Sequence, residues 1–180
     1  MEAENLSIER LRSVTGPFPE HFYNYVKLVG EGNIRDVLHD QSEKTIAFFN
    51  SISAEKWLYR YAEGKWTLKE VLQHITDAER VFAYRALAFA RKDSNSLPSF
   101  DENSYAANSN ANDREWADLI EEFGAVRKST VLLFKSFSDK TLMNTGIASG
   151  KEISVLALGY ISVGHLSHHL NIISEKYLGN

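Results

Sequence analysis

No cysteine occurs among the 180 residues. That absence excludes disulfides, thiolate metal sites and a cysteine nucleophile, so any bound metal must be held by His, Asp, Glu or water. Proline is scarce, at positions 17, 19 and 98 only. Long stretches without breakers favour helix, and no strand-like alternation bounded by Asn-Gly or Asp-Gly turns is present. Basic charge has no surplus, with 20 Lys and Arg against 24 Asp and Glu. No cationic run could follow a phosphate backbone, which argues against nucleic acid as a partner. Long apolar runs are missing too. The most apolar stretch, 155–163, falls far short of the ~20 residues that span a bilayer. The polar start, MEAENLSIERLRSVTG, has no signal-peptide core, so the expected location is the cytoplasm. Walker-type loops, dinucleotide fingerprints and Ser-based nucleophile elbows are absent as well.

Hydrophobic periodicity predicts four long helices and an all-α chain. The first covers 34–53, with Asn33 as N-cap and Ile34, Val37, Leu38, Phe48, Phe49 and Ile52 on one stripe beside polar Gln41 and Thr45. The second covers 68–92. Thr67 and Glu70 form a capping-box pattern at its start, and Trp66 precedes it. The third covers 113–137, opened by Asn112. The fourth covers 155–178, with Ser154 as N-cap. A shorter helix is expected over 21–29. The polar connection 93–111 is long for a bundle link, and such loops often carry function. NTGIASGK (144–151) reads as a Gly/Ser-rich turn. The expectation is a single domain over 1–180, with its core at 34–178.

Six histidines occur, three of them within five residues on the fourth helix: His165, His168 and His169. His165 and His169 stand one turn apart, about 40° around the axis. That spacing lets two imidazoles meet at one metal ion with bonds of about 2.0–2.1 Å. Zinc proteases use the same helical pair, but Leu166 follows the first histidine where they have glutamate. Two ligands hold a metal poorly. His74, at the border of the apolar face of the second helix, is the best candidate for a third. Three histidines leave coordination positions open, as catalytic sites do. His168 could be a fourth ligand, a supporting group or a surface residue, and its angle favours the last two. His21 and His39 have no constellation around them.

Arg85 lies about 20° from His74 around the same helix, and Asp77 about 60°. As site residues, Arg85 would orient an anionic group and Asp77 would accept an imidazole proton or act as a base. As structural residues, both would join ion pairs at the bundle edge. Glu79 and Arg80 are expected to face solvent or another helix.

Three stretches carry a resemblance: GKWTLKEVLQHITDAERVFAYRALAFAR (64–91), the SYAANSNANDREW region, and GHLSHHLNIISEKYL (164–178). In order and spacing they resemble the DinB-like superfamily over residues 34–178. The resemblance implies an up-down-down-up four-helix bundle whose long link joins parallel helices. It implies a His74/His165/His169 triad binding a divalent ion (zinc, nickel, iron or manganese), with zinc or nickel favoured, and a homodimer. Members of the superfamily include thiol S-transferases that use low-molecular-weight thiols, and putative metal-dependent hydrolases.

Three functions follow. A transferase would activate a low-molecular-weight thiol on the ion for attack on a small-molecule substrate. A hydrolase would activate water, with Asp77 as proton acceptor, although no glutamate adjoins the ligands in sequence. A binding protein would use the ion only for stability. Thiol S-transfer is the first expectation.

Overall fold

The computed structural model describes residues 7–30 and 32–179. Residues 1–6, which belong to the expected domain and to the polar start, lie outside them. The described chain begins with α1 (Ile8–Thr15), capped by Ser7, and the short α2 (Tyr23–Val26). The long elements are α3 (Ile34–Asn50), α4 (Leu68–Ala90), α6 (Trp116–Lys135) and α8 (Val155–Ile172). Between them lie α5 (Glu102–Ala107), α7 (Asp139–Leu142) and a hairpin of β1 (Thr145–Ala148) and β2 (Lys151–Ser154).

The long helices form the expected up-down-down-up bundle, and side-chain register shows why. Along α4 and α6 the contacts advance together: Lys69 reaches the Arg114 carbonyl, Arg80 pairs with Glu122, and Glu79 with Arg127. These two helices are therefore parallel. Between α4 and α8 the contacts run in opposition, from Trp66 with Tyr177 to His74 with His165. α3 opposes α6, through Phe49 with Trp116 and Gln41 with Arg127. The 25-residue passage from α4 to α6 is what lets two sequential helices point the same way.

Several boundaries differ from the periodic reading. α3 ends at Asn50 rather than 53. α6 starts at Trp116, because Asn112 sits in a 3-10 turn (Ala111–Asp113). Its amide instead binds the α4 cap, accepting from Thr67 Oγ1 (2.6 Å) and donating to Glu70 Oε1 (2.9 Å). Asn112 thus caps in space rather than in sequence. α8 stops at Ile172 and continues to Leu178 as a π-helix. The Gly/Ser-rich turn is the tip of the hairpin. Ser149 and Gly150 both have positive φ (53° and 72°), the twist that a two-residue hairpin loop requires. Leu97 adds a parallel bridge to Ala148 and so pins the long connection against this hairpin. That connection is not structureless, since it contains α5.

The interior is two apolar clusters rather than one. The first gathers Leu38, Phe82, Phe134, Leu158 and Ile161, and the second Phe49, Leu72, Trp116, Phe123 and Leu166. Polar side chains from all four long helices lie between them in sequence: Thr45, Thr76, Arg127 and His165, each no more than 6% exposed. Gly164 permits α2 to lie on α8 at this level. A Cβ there would stand 2.0 Å from the Tyr25 carbonyl oxygen.

Candidate metal centre

Local chemistry sets the register of α4. Thr67 Oγ1 accepts the Glu70 amide (3.1 Å) while Glu70 Oε2 accepts the Thr67 amide (2.7 Å), completing the capping box. His74 follows two turns later on the side that meets α8. On α8, Gln41 fixes the opposing turn by donating to the Val163 carbonyl (3.1 Å) and to Ser167 Oγ (2.9 Å), on either side of His165.

His74 Nε2 lies 3.0 Å from His165 Nε2, and His169 Nε2 lies 3.1 Å from the same atom. His74 and His165 are buried (8% and 6% exposed), and His169 is partly buried. Rings close around them: Trp66 is 4.7 Å from His74, and Tyr25 and Phe82 stand edge-on to His165 at 5.3 and 5.7 Å.

The donor set suits a metal ion better than it suits hydrogen bonding. A neutral imidazole nitrogen either donates or accepts in the ring plane. His165 Nε2 faces two such nitrogens and can serve only one of them well. Adjacent ligands of an ion at 2.0–2.1 Å stand about 3 Å apart, so one ion would satisfy all three rings. Their protonation agrees. Burial lowers His74 to about 4, against an opposing pull from the Glu102 charge. Burial, then His74 and His168, lowers His169 to about 3. His165 is pushed well below 6.5 by burial first and then by its histidine neighbours and Arg127. All three rings are neutral near pH 7, the form that binds metal.

The cluster opens into a cavity of about 550 Å³, walled by Phe22, Tyr25, Phe82 and Phe100 and by two charged residues, Arg85 and Glu102. Arg85 is 4% exposed and donates to the Pro98 carbonyl (2.8 Å) and Ser149 Oγ (3.4 Å). Burial lowers its pKa.

Of the residues singled out in the sequence, His74, His165, His169 and Arg85 share this cavity. Asp77 does not line it. Its carboxylate accepts from Gln73 (2.9 Å) and Arg80 (3.2 Å), in a network that continues to Glu122 and Arg114 on the α6 side. Asp77 is thus engaged in an ion-pair network away from the cavity. Glu79 turns to α6 and is buried against Arg127. His168 is partly buried, its ring 5.2 Å from those of Tyr25 and His169, beside the cluster rather than in it.

Two wall residues had no signal at their own positions. His21 reaches the cavity from the segment before α2. Glu102 comes from α5, within the long connection. Its charge acts on both His74 and Tyr25, raising the Tyr25 pKa after burial does. The length of that connection was the one available hint.

A sequence model of the DinB superfamily matches residues 38–173. Among solved structures, the chain is similar to YfiT from Bacillus subtilis, described as a probable metal-dependent hydrolase with an unusual four-helix bundle topology. The TM-score is 0.63 at 15% identity, covering 89% of this chain and 88% of YfiT. At that identity the likeness speaks for the fold. No curated protein sequence matches the chain.

Proposed function

The chain belongs to the DinB superfamily, and on that premise we propose that it is a divalent-metal-dependent enzyme acting on a small molecule that carries an anionic group. The observation that carries the reading is the convergence of three neutral imidazole nitrogens at the floor of an open cavity. His74, His165 and His169 would hold the ion. The bound ion would act as a Lewis acid, lowering the pKa of water or a thiol so that a nucleophile is available near neutral pH. Three imidazoles suit zinc, nickel, copper and iron alike, whereas manganese prefers oxygen ligands.

The protein's own groups have distinct tasks. Arg85 holds the substrate anion, and its fixed hydrogen bonds to Pro98 and Ser149 set its direction. The aromatic walls exclude water and hold the organic part of the substrate. Glu102 accepts the proton released when the nucleophile forms.

Glu102 reorders the candidate reactions. Hydrolysis was disfavoured by the lack of a carboxylate beside the ligands in sequence, and the fold supplies one from α5. We therefore put hydrolysis first. Thiol S-transfer, the first expectation from the sequence, is the second reading. It is favoured by the donor set, since an ion held by three imidazoles would bind and acidify a thiol as well as water. We also retain a homodimer, a cytoplasmic location and one domain over 1–180, with its core at 34–178, as parts of the proposal. Among the described residues no helix is long and apolar enough to cross a membrane.

The test begins with metal analysis of untagged protein purified without added metal. About one equivalent of a transition metal is expected, and its retention by His165→Ala would remove the central claim. Holoprotein is then offered carboxylate-bearing esters, amides and lactones, and separately low-molecular-weight thiols with monochlorobimane. Turnover in the first panel supports hydrolysis, and a bimane adduct alone supports S-transfer. Silence in both, with metal bound, leaves the ion a structural role and overturns the enzymatic reading.

A further inference from the structure

A second cavity, about 270 Å³, lies against the first and shares two of its wall residues, Trp66 and His169. The remaining walls include Tyr61, Lys65, Asn103 and Tyr177. The divider is well held. Tyr177 donates to the Trp66 carbonyl (2.8 Å), while the Trp66 ring lies against His74 at 4.7 Å. α5 straddles it, since Glu102 lines the first cavity and the next residue, Asn103, lines the second.

We propose that the two cavities are the two arms of one substrate site, with the His74/His165/His169 centre at their junction. The inference rests on the metal-centre reading above and adds the shape of the substrate. His169 is the key to it, because a ligand of the proposed ion is a wall of both spaces. A molecule coordinated there through a central group has somewhere to go on each side.

The chemistry of the two arms differs. The larger is aromatic, through Phe22, Phe82 and Phe100, and carries Arg85, so it takes an apolar or aromatic arm ending in an anion. The smaller has half the volume, with Tyr61 and Tyr177 rings 5.1 Å apart edge-to-face. Lys65 is exposed there and forms no ion pair among the described residues. Asn103 adds an amide. This arm takes a ring-sized group bearing a hydrogen-bond acceptor. The substrate class is an elongated molecule whose reacting atom lies in its middle, not at its end.

Metal-chelating probes test the shape without knowledge of the substrate. Benzohydroxamate chelates through its hydroxamate and has one arm, and N-phenylbenzohydroxamate has an arm on each side. Cobalt-loaded protein is titrated with each, and binding is read from the visible ligand-field spectrum. The two-armed probe is expected to bind at least about tenfold more tightly. Asn103→Trp, which fills the smaller arm from an exposed position, is expected to bring the ratio close to one. Equal binding of the probes to the unaltered protein would overturn the proposal, as would an advantage that survives Asn103→Trp. If cobalt does not bind, or neither probe changes its spectrum, the metal-centre reading has failed instead. The spectrum of the variant before titration shows whether its ligand cluster is intact.

Discussion

Glu79 and Arg127 form a buried ion pair between α4 and α6, and removing one partner should cost far more than removing both. Arg127 is 0% and Glu79 3% exposed. Arg127 Nε and Nη2 stand 3.0 and 2.7 Å from Glu79 Oε2, and Nη1 donates to Gln41 Oε1 at 2.9 Å. Glu79 Oε1 has no hydrogen-bond partner among the described residues. With so little water to screen or replace the missing partner, each single substitution should cost about 3–5 kcal/mol. Glu79→Leu strands the Arg127 guanidinium in the interior without its carboxylate partner. Arg127→Met strands the Glu79 carboxylate in the same way. The double variant Glu79→Leu/Arg127→Met removes both charges and should lie within about 1 kcal/mol of the parent, or above it. Urea unfolding of metal-free protein, followed by far-UV circular dichroism, measures all three, with the slope checked for constancy. A Glu79→Leu cost below about 1 kcal/mol would refute the argument. So would costs of Glu79→Leu and Arg127→Met that simply add in the double variant, because that would mean the two charges do not depend on each other.

Other outcomes follow from the same geometry. Gly164→Ala should destabilise by at least about 1–3 kcal/mol, because the new methyl meets backbone at Tyr25. Gly124→Ala in α6, where the nearest atom is the Ile46 side-chain tip at 3.4 Å, should be neutral or stabilising by up to about 1 kcal/mol. Thermal melts that rank the two variants the other way would contradict the packing described. In metal-free protein, His74 and His169 sit below the ordinary histidine value, at about 4 and about 3. Their contribution to stability is therefore full above pH ~6.5 and lost as pH falls toward those values, by roughly 3 kcal/mol for His74 in the limit. A melting temperature that stays flat from pH 7 to 4.5 would count against burial of the neutral rings. Glu102→Gln lies at an exposed position, so stability should change by no more than about 0.5 kcal/mol. Turnover on any hydrolysed member of the substrate panel should drop about a hundredfold, and undiminished turnover would remove the carboxylate from the reaction.

Much of this protein is local and was legible in the chain. The Thr67 and Glu70 box, the Ser154 cap and the apolar periodicities follow from interactions within a few residues, and they place all four long helices. The His165/His169 pair is equally local, since one helical turn brings the two rings to one face whatever surrounds the helix. Non-local contacts escaped the reading. The hairpin at 145–154 has a Ser-Gly tip and few alternating residues, and it is held from outside by Leu97. Asn112 looked like a helix start and serves as a cross-chain prop for the α4 cap.

The sequence by itself determined which helices form and that two histidines can share a ligand, because both depend on the rotation per residue of one helix. Only the tertiary structure decided what those histidines face. Arg85 and Asp77 flank the direction of His74 on the same helix, yet the long connection and the hairpin tip hold one while the other joins a network that leads to α6, so of the two Arg85 lines the cavity. Which neighbour lies on which side depends on the handedness of the bundle, and no single helix encodes it. Glu102 is 28 residues from His74 along the chain and belongs to a different element. It reaches the cavity because the chain must travel far enough after α4 to return parallel to it, and α5 forms on the way.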